Sequence, residues 1–126
     1  MNSPTFLRIG FGLLLTLLSV AGCYRSSAPP APLPVEQMPA ALEQAFSQAQ
    51  PEPKELANEV AASVKAQDYA KALVELKLLG GTPQLTREQA GVTTRGLLTL
   101  NTLLQAAQGR GDEKAAAVLK YQRLTK

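Results

Sequence analysis

Apolar residues in the second half of this 126-residue chain recur every three or four positions, in runs interrupted at Asp68, at Gly80-Gly81 and at Gly109. That spacing lays a stripe along one side of an α-helix, whereas a half-buried strand alternates at every second residue. No stretch sustains such alternation, so an all-α fold is expected: a small bundle of two helical hairpins over residues 53–126.

The first hairpin begins after Pro53. Leu56, Val60 and Val64, with Ala57 and Ala61 beside them, mark one face of a helix ending near Gln67. Asp68 is placed to cap the next helix, whose face is Tyr69, Ala72, Leu73, Leu76 and Leu79 and whose stop is Gly80-Gly81. In "LTREQ", Thr86 and Gln89 have capping-box spacing, and Leu85 and Ala90 take the staple positions. The helix that follows, Arg87 to about Gln108, is expected to turn Ala90, Leu97, Leu100, Leu104 and Ala107 inward. Gly91 and Gly96 each cost up to about 1 kcal/mol in a helix interior, which points to a close helix approach or a bend. Gly109 ends that helix and Asp112 caps the last one, with Ala115, Val118 and Leu119 on its apolar face and Leu124 a further candidate.

Ahead of the hairpins, Met38, Leu42, Ala45, Phe46 and Ala49 form one stripe on a short amphipathic helix over residues 39–50, with Pro39 suited to its first turn. Before it, Pro29, Pro30, Pro32 and Pro34 favour an extended spacer, so residues 23–38 are expected to act as a tether. Residues 1–22 combine a start carrying Arg8, an apolar run from Ile9 to Val20 and the small pair Ala21-Gly22. That is the organisation of an export signal. A membrane span needs about 20 apolar residues, and the run here is shorter and broken by Gly10, Gly12 and Thr16.

The end of this leader, Val20-Ala21-Gly22-Cys23, resembles the lipobox of bacterial lipoproteins. The resemblance implies that Cys23 receives a diacylglyceryl thioether and that a signal peptidase cuts between Gly22 and Cys23. Small residues before the cut keep the backbone accessible, and a thiolate is suited to forming a thioether. One fatty chain binds a membrane reversibly and two or three hold it firmly, so the implied partner is a membrane reached through a lipid anchor. Many lipoproteins retained at the inner membrane carry aspartate after the cysteine. Tyr24 stands there instead, which by resemblance implies the outer membrane, facing the periplasm.

The segment from Pro53 to Leu79 resembles a single tetratricopeptide-type hairpin, on the strength of Asp68, Tyr69, Ala72 and Leu73. Such hairpins commonly expose a groove for a peptide, which implies an envelope protein partner. The alternative is that both hairpins simply bury their stripes against one another.

Composition narrows the function further. The chain has no histidine and no tryptophan, and its one cysteine has no internal disulfide partner. Histidine-based triads and the usual metal clusters are therefore excluded, and no catalytic residue, metal ligand or cofactor is assigned. The net charge of +3 falls to +2 without Arg8, too little to imply nucleic acid. Charge is uneven, however: residues 24–83 balance at −2 and residues 84–126 at +4. A basic C-terminal hairpin of this kind could meet anionic headgroups or cell-wall polymer. "RGD" at Arg110-Gly111-Asp112 is explained by a turn and a helix cap. The expected role is a non-catalytic interaction or structural protein of the bacterial cell envelope. Two alternatives remain at this point: a small ligand-binding or enzymatic domain with carboxylates converging on Arg87 or Arg95, and a membrane-perturbing amphipathic lipoprotein.

Overall fold

The computed structural model describes residues 29–126, and the leader, with Gly22, and the following Cys23 and Tyr24 lie outside them. The described residues form five α-helices and no strand, which bears out the all-α expectation: α1 (Met38–Ala45), α2 (Pro51–Lys65), α3 (Tyr69–Gly80), α4 (Arg87–Gly109) and α5 (Glu113–Leu124). Helices α2 and α3 make one hairpin and α4 and α5 the other. Helix α3 packs against α2, α4 and α5, and α1 packs against both α2 and α4.

The helix ends follow local chemistry. Asp68 caps α3 by accepting the Lys71 backbone N–H at 3.2 Å, and Asp112 caps α5 by accepting that of Ala115 at 3.0 Å. Thr86 and Gln89 close a reciprocal capping box at the start of α4, at 3.1 and 3.0 Å. Gly111 takes the turn before Asp112 with φ of 88°, a conformation open to glycine at no steric cost.

Three boundaries differ from those expected. The "QPEP" stretch is a helix start: Gln50 is extended, Pro51 takes the first helical position and Pro53 still lies in the first turn. Neither proline forfeits a helical bond there, because the first N–H groups have no partner in any helix. The short helix expected over residues 39–50 closes earlier, at Ala45, and is fully docked, with Met38, Leu42 and Phe46 each 1 % exposed or less. The tether expected over residues 23–38 also ends sooner. Leu33 is buried, its N–H donates to the Arg95 carbonyl at 3.3 Å, and its own carbonyl accepts the Thr99 hydroxyl. A single 3-10 turn, Val35–Gln37, then leads into α1. Prolines cannot donate to a ladder, but they leave the Leu33 side chain and amide free to settle on α4. The folded unit thus begins some twenty residues before Pro53.

Phe46, Met38, Leu42, Leu73, Leu76, Leu79, Leu100 and Val60 fill the centre. On α4 the inward face is broader than the one expected: Leu100 and Leu104 are buried and Leu97 and Ala107 pack against the core, as the spacing implies. Ala90 is exposed, while Gln89, Thr93, Gly96 and Thr99 turn in with Leu100 and Leu104. Each polar member has a partner: Gln89 Nε2 donates to the Ala45 carbonyl at 3.2 Å, and the Thr93 hydroxyl donates to the Gln89 carbonyl at 2.8 Å. Leu124 is 74 % exposed and takes no part in the core.

The two glycines in the interior of α4, Gly91 and Gly96, have opposite meanings. A Cβ on Gly96 would sit 3.0 Å from Leu76 Cδ2 and 3.6 Å from Met38 Sδ, whereas one on Gly91 would meet nothing within 4 Å. Gly91→Ala should therefore stabilise the protein by about 0.5–1 kcal/mol, the helix-propensity difference. Gly96→Val should destabilise it by roughly 1–3 kcal/mol through overpacking. Urea unfolding followed by circular dichroism measures both, and equal effects at the two positions would refute the close packing assigned to Gly96.

Candidate functional site

Two polar clusters survive among the packed helices. The first joins the turns of the two hairpins. Lys114 Nζ, from the second residue of α5, lies 2.9 Å from Asp68 Oδ1 and 3.0 Å from Oδ2. The carboxylate that caps α3 thereby also holds α5. The hydrogen bond from Lys114, reinforced by the Lys71 N–H, keeps the Asp68 carboxyl below the usual range, so it stays ionised near neutrality. A cleft of about 330 Å³ opens beside this pair, between Gln67, Tyr69 and Asp112, with Leu104 and Ala115 on its apolar side. Gln67 enters the turn at φ of 58°. An ionised carboxylate already engaged by an ammonium and an amide is poorly suited to proton transfer at neutral pH.

The second cluster lies between α2 and α3. Buried Ser63 donates its hydroxyl to Glu75 Oε2 at 2.7 Å, and Lys71 Nζ stands 3.6 Å from Oε1. An open groove passes this pair and is also lined by Glu59 and Asp68. A serine beside a carboxylate and a lysine has the outline of a nucleophile. Here the hydroxyl is committed to the carboxylate, and there is no histidine in the chain to act as its base. The pair instead satisfies a carboxylate that helix geometry turns inward. Sequence reasoning missed both residues, although Ser63 stands three positions after Val60 in an apolar stripe and Glu75 interrupts the run from Leu73 to Leu76.

Arg87 and Arg95 do not share a site with converging carboxylates. Arg95 Nε donates to the Ala31 carbonyl at 2.9 Å and so fastens the leading segment, while Arg87 is exposed at the start of α4. The ion pairs among the described residues, Lys65–Glu43, Lys71–Glu75 and Lys114–Asp68, include neither arginine. Every buried side-chain nitrogen or oxygen in the described residues has a hydrogen-bond partner, so none is left directed at a ligand. No group of three metal-ligating side chains occurs among them, and no described helix is long and apolar enough to cross a membrane. What remains unsatisfied is apolar surface, namely Val74, Leu78, Leu98, Tyr121 and Leu124.

Comparison with known protein families, with curated proteins and with solved structures finds no match to the chain.

Two predictions separate structural from chemical roles. Asp68→Asn keeps a good capping side chain but loses the charge, so it should lower stability by up to about 1 kcal/mol at neutral pH. The folded-state value of Asp68 is lowered, so its contribution is complete above the ordinary range near pH 4 and fades as pH falls through the lowered value. The parent and the asparagine variant should converge in that acid range, as read by urea titrations at a series of pH values. Ser63→Ala should cost about 1–3 kcal/mol by stripping a buried carboxylate of its donor. Adding Glu75→Leu should recover much of that loss, and recovery of stability in the double variant is the measurement that identifies the pair as structural.

Proposed function

We propose that this chain is an exported bacterial lipoprotein, anchored to a membrane through Cys23, whose folded unit serves a non-catalytic interaction or structural role in the cell envelope. The observation that carries the reading is the lipobox-like sequence Val20-Ala21-Gly22-Cys23 at the end of an apolar leader. It would make Cys23 the first residue of the mature protein, following cleavage after Gly22. The outer membrane, facing the periplasm, is the destination that Tyr24 favours.

The fold adds a distance to this reading. Among the described residues, the first backbone atom fastened to α4 belongs to Ala31, eight residues after Cys23. At about 3.6 Å per residue, a fully extended chain spans at most roughly 29 Å over that interval. The helical unit would therefore ride close to the lipid rather than reach far across the periplasm. A filled centre and fully partnered buried polar groups support a role carried by the outer surface. A protein partner in the envelope and the absence of catalytic activity belong to the same proposal.

Labelling bacteria that express the protein with a fatty-acid analogue tests the anchor. The protein should be labelled and should fractionate with membranes, and Cys23→Ser should abolish the label. Labelling that survives Cys23→Ser, or an unlabelled mature protein, would overturn the reading. Sucrose-gradient separation of the two membranes checks the destination.

A further inference from the structure

We propose that the outer face of α5 lies on an anionic lipid surface, an inference that rests on the lipid-anchored reading and names what the folded unit touches once tethered. Ala115 and Leu119 are buried against the bundle, and Ala117, Tyr121 and Leu124 recur at helical spacing on the outward side. Tyr121 is 64 % and Leu124 74 % exposed, the two most exposed large apolar side chains among the described residues. Lys120, Arg123 and Lys126 stand around them, all exposed and in no ion pair among the described residues. Residues 113–126 hold four basic side chains against one acidic, a balance of +3.

An aromatic ring and a leucine surrounded by cations suit the boundary between headgroups and acyl chains. The ring and the leucine enter the apolar layer, tyrosine keeps its hydroxyl at headgroup level, and lysine and arginine stems extend toward the phosphates. Two observations select lipid over other occupants. A second copy of this face would bring like charges together. A tether of at most roughly 29 Å would also hold the unit within reach of headgroups that attract basic side chains.

The chain contains no tryptophan, so Tyr121→Trp provides a single reporter on this face. The acylated full protein carrying Tyr121→Trp is reconstituted into phosphatidylglycerol vesicles and into phosphatidylcholine vesicles, each with brominated lipid as quencher. Quenching is expected on phosphatidylglycerol, with loss of most of it in high salt, on phosphatidylcholine, and when Lys120, Arg123 and Lys126 are all changed to glutamine. The substituted positions are exposed, and an unchanged circular dichroism spectrum confirms that the helices persist. No quenching on phosphatidylglycerol, or quenching indifferent to the three glutamines, would overturn the inference. So would self-association detected by sedimentation that disappears with Leu124→Ser.

Mass spectrometry of the N-terminal peptide reports the anchor separately. Acylated Cys23 without quenching leaves the anchor standing and removes the docking face. If Cys23 proves unacylated, the anchored reading fails, and vesicle sedimentation of the same protein decides the docking face by itself. Binding to phosphatidylglycerol reduced on the order of a hundredfold by the three glutamines supports it. Binding unaffected by them, or no binding, overturns it.

Discussion

Gly96 carries no side chain where three helices converge, and the close packing at the centre of the bundle uses that missing volume. Leu76 from α3 and Met38 from α1 both reach the space a Cβ would occupy. With Met38 seated, Leu42 and Phe46 follow it into the centre, and α1 becomes a shared element between α2 and α4. A helix of eight residues is too short to persist by propensity, so its order comes from this burial. Gln89 seals the same region by donating to the Ala45 carbonyl at the end of α1, where an unmet acceptor would otherwise be enclosed.

The polar contacts divide into clamps at the surface and a pair within. Lys114–Asp68 ties the turns of the two hairpins, while Ser63–Glu75 joins the last turn of α2 to the middle of α3. The clamp is largely exposed and contributes mainly alignment, because solvent screens its attraction. The inner pair matters through what its loss would leave, a carboxylate shut away from water without its donor. Arg95 and Thr99 perform a third task, holding the segment from Ala31 to Leu33 along α4 and so setting where the tether ends.

That end point connects fold to function. If the proposed anchor holds, a folded unit that begins at Ala31 would stay beside its membrane, whereas one set after a long spacer would act at a distance. The described interior is closed and partnered, which leaves action to the outer faces. The uneven charge visible along the chain collects its basic part in the last hairpin, and on α5 it surrounds exposed apolar side chains. The proposed lipid contact and the proposed anchor would then act together, one limiting distance and the other orientation.

Much of the architecture was legible in the residues. The all-α class, the hairpin turns, the caps at Asp68 and Asp112 and the Thr86–Gln89 box all depend on side chains meeting backbone three or four positions away. Such interactions are complete within one helical turn, so spacing alone identifies them. The inward turn of Gln89, Ser63 and Glu75 and the docking of Leu33 were not legible in the same way. Each depends on a partner far along the chain: Ala45 for Gln89, Glu75 for Ser63, and Arg95 and Thr99 for Leu33. A polar residue reads as exposed until its partner is known, because its burial is favourable only when that partner is present. By itself the sequence determined the helices, their ends and the likeness of the leader to a lipoprotein signal. Only the tertiary structure decided which polar side chains join the inward faces and where the folded unit begins, since long-range packing and hydrogen bonding settle both.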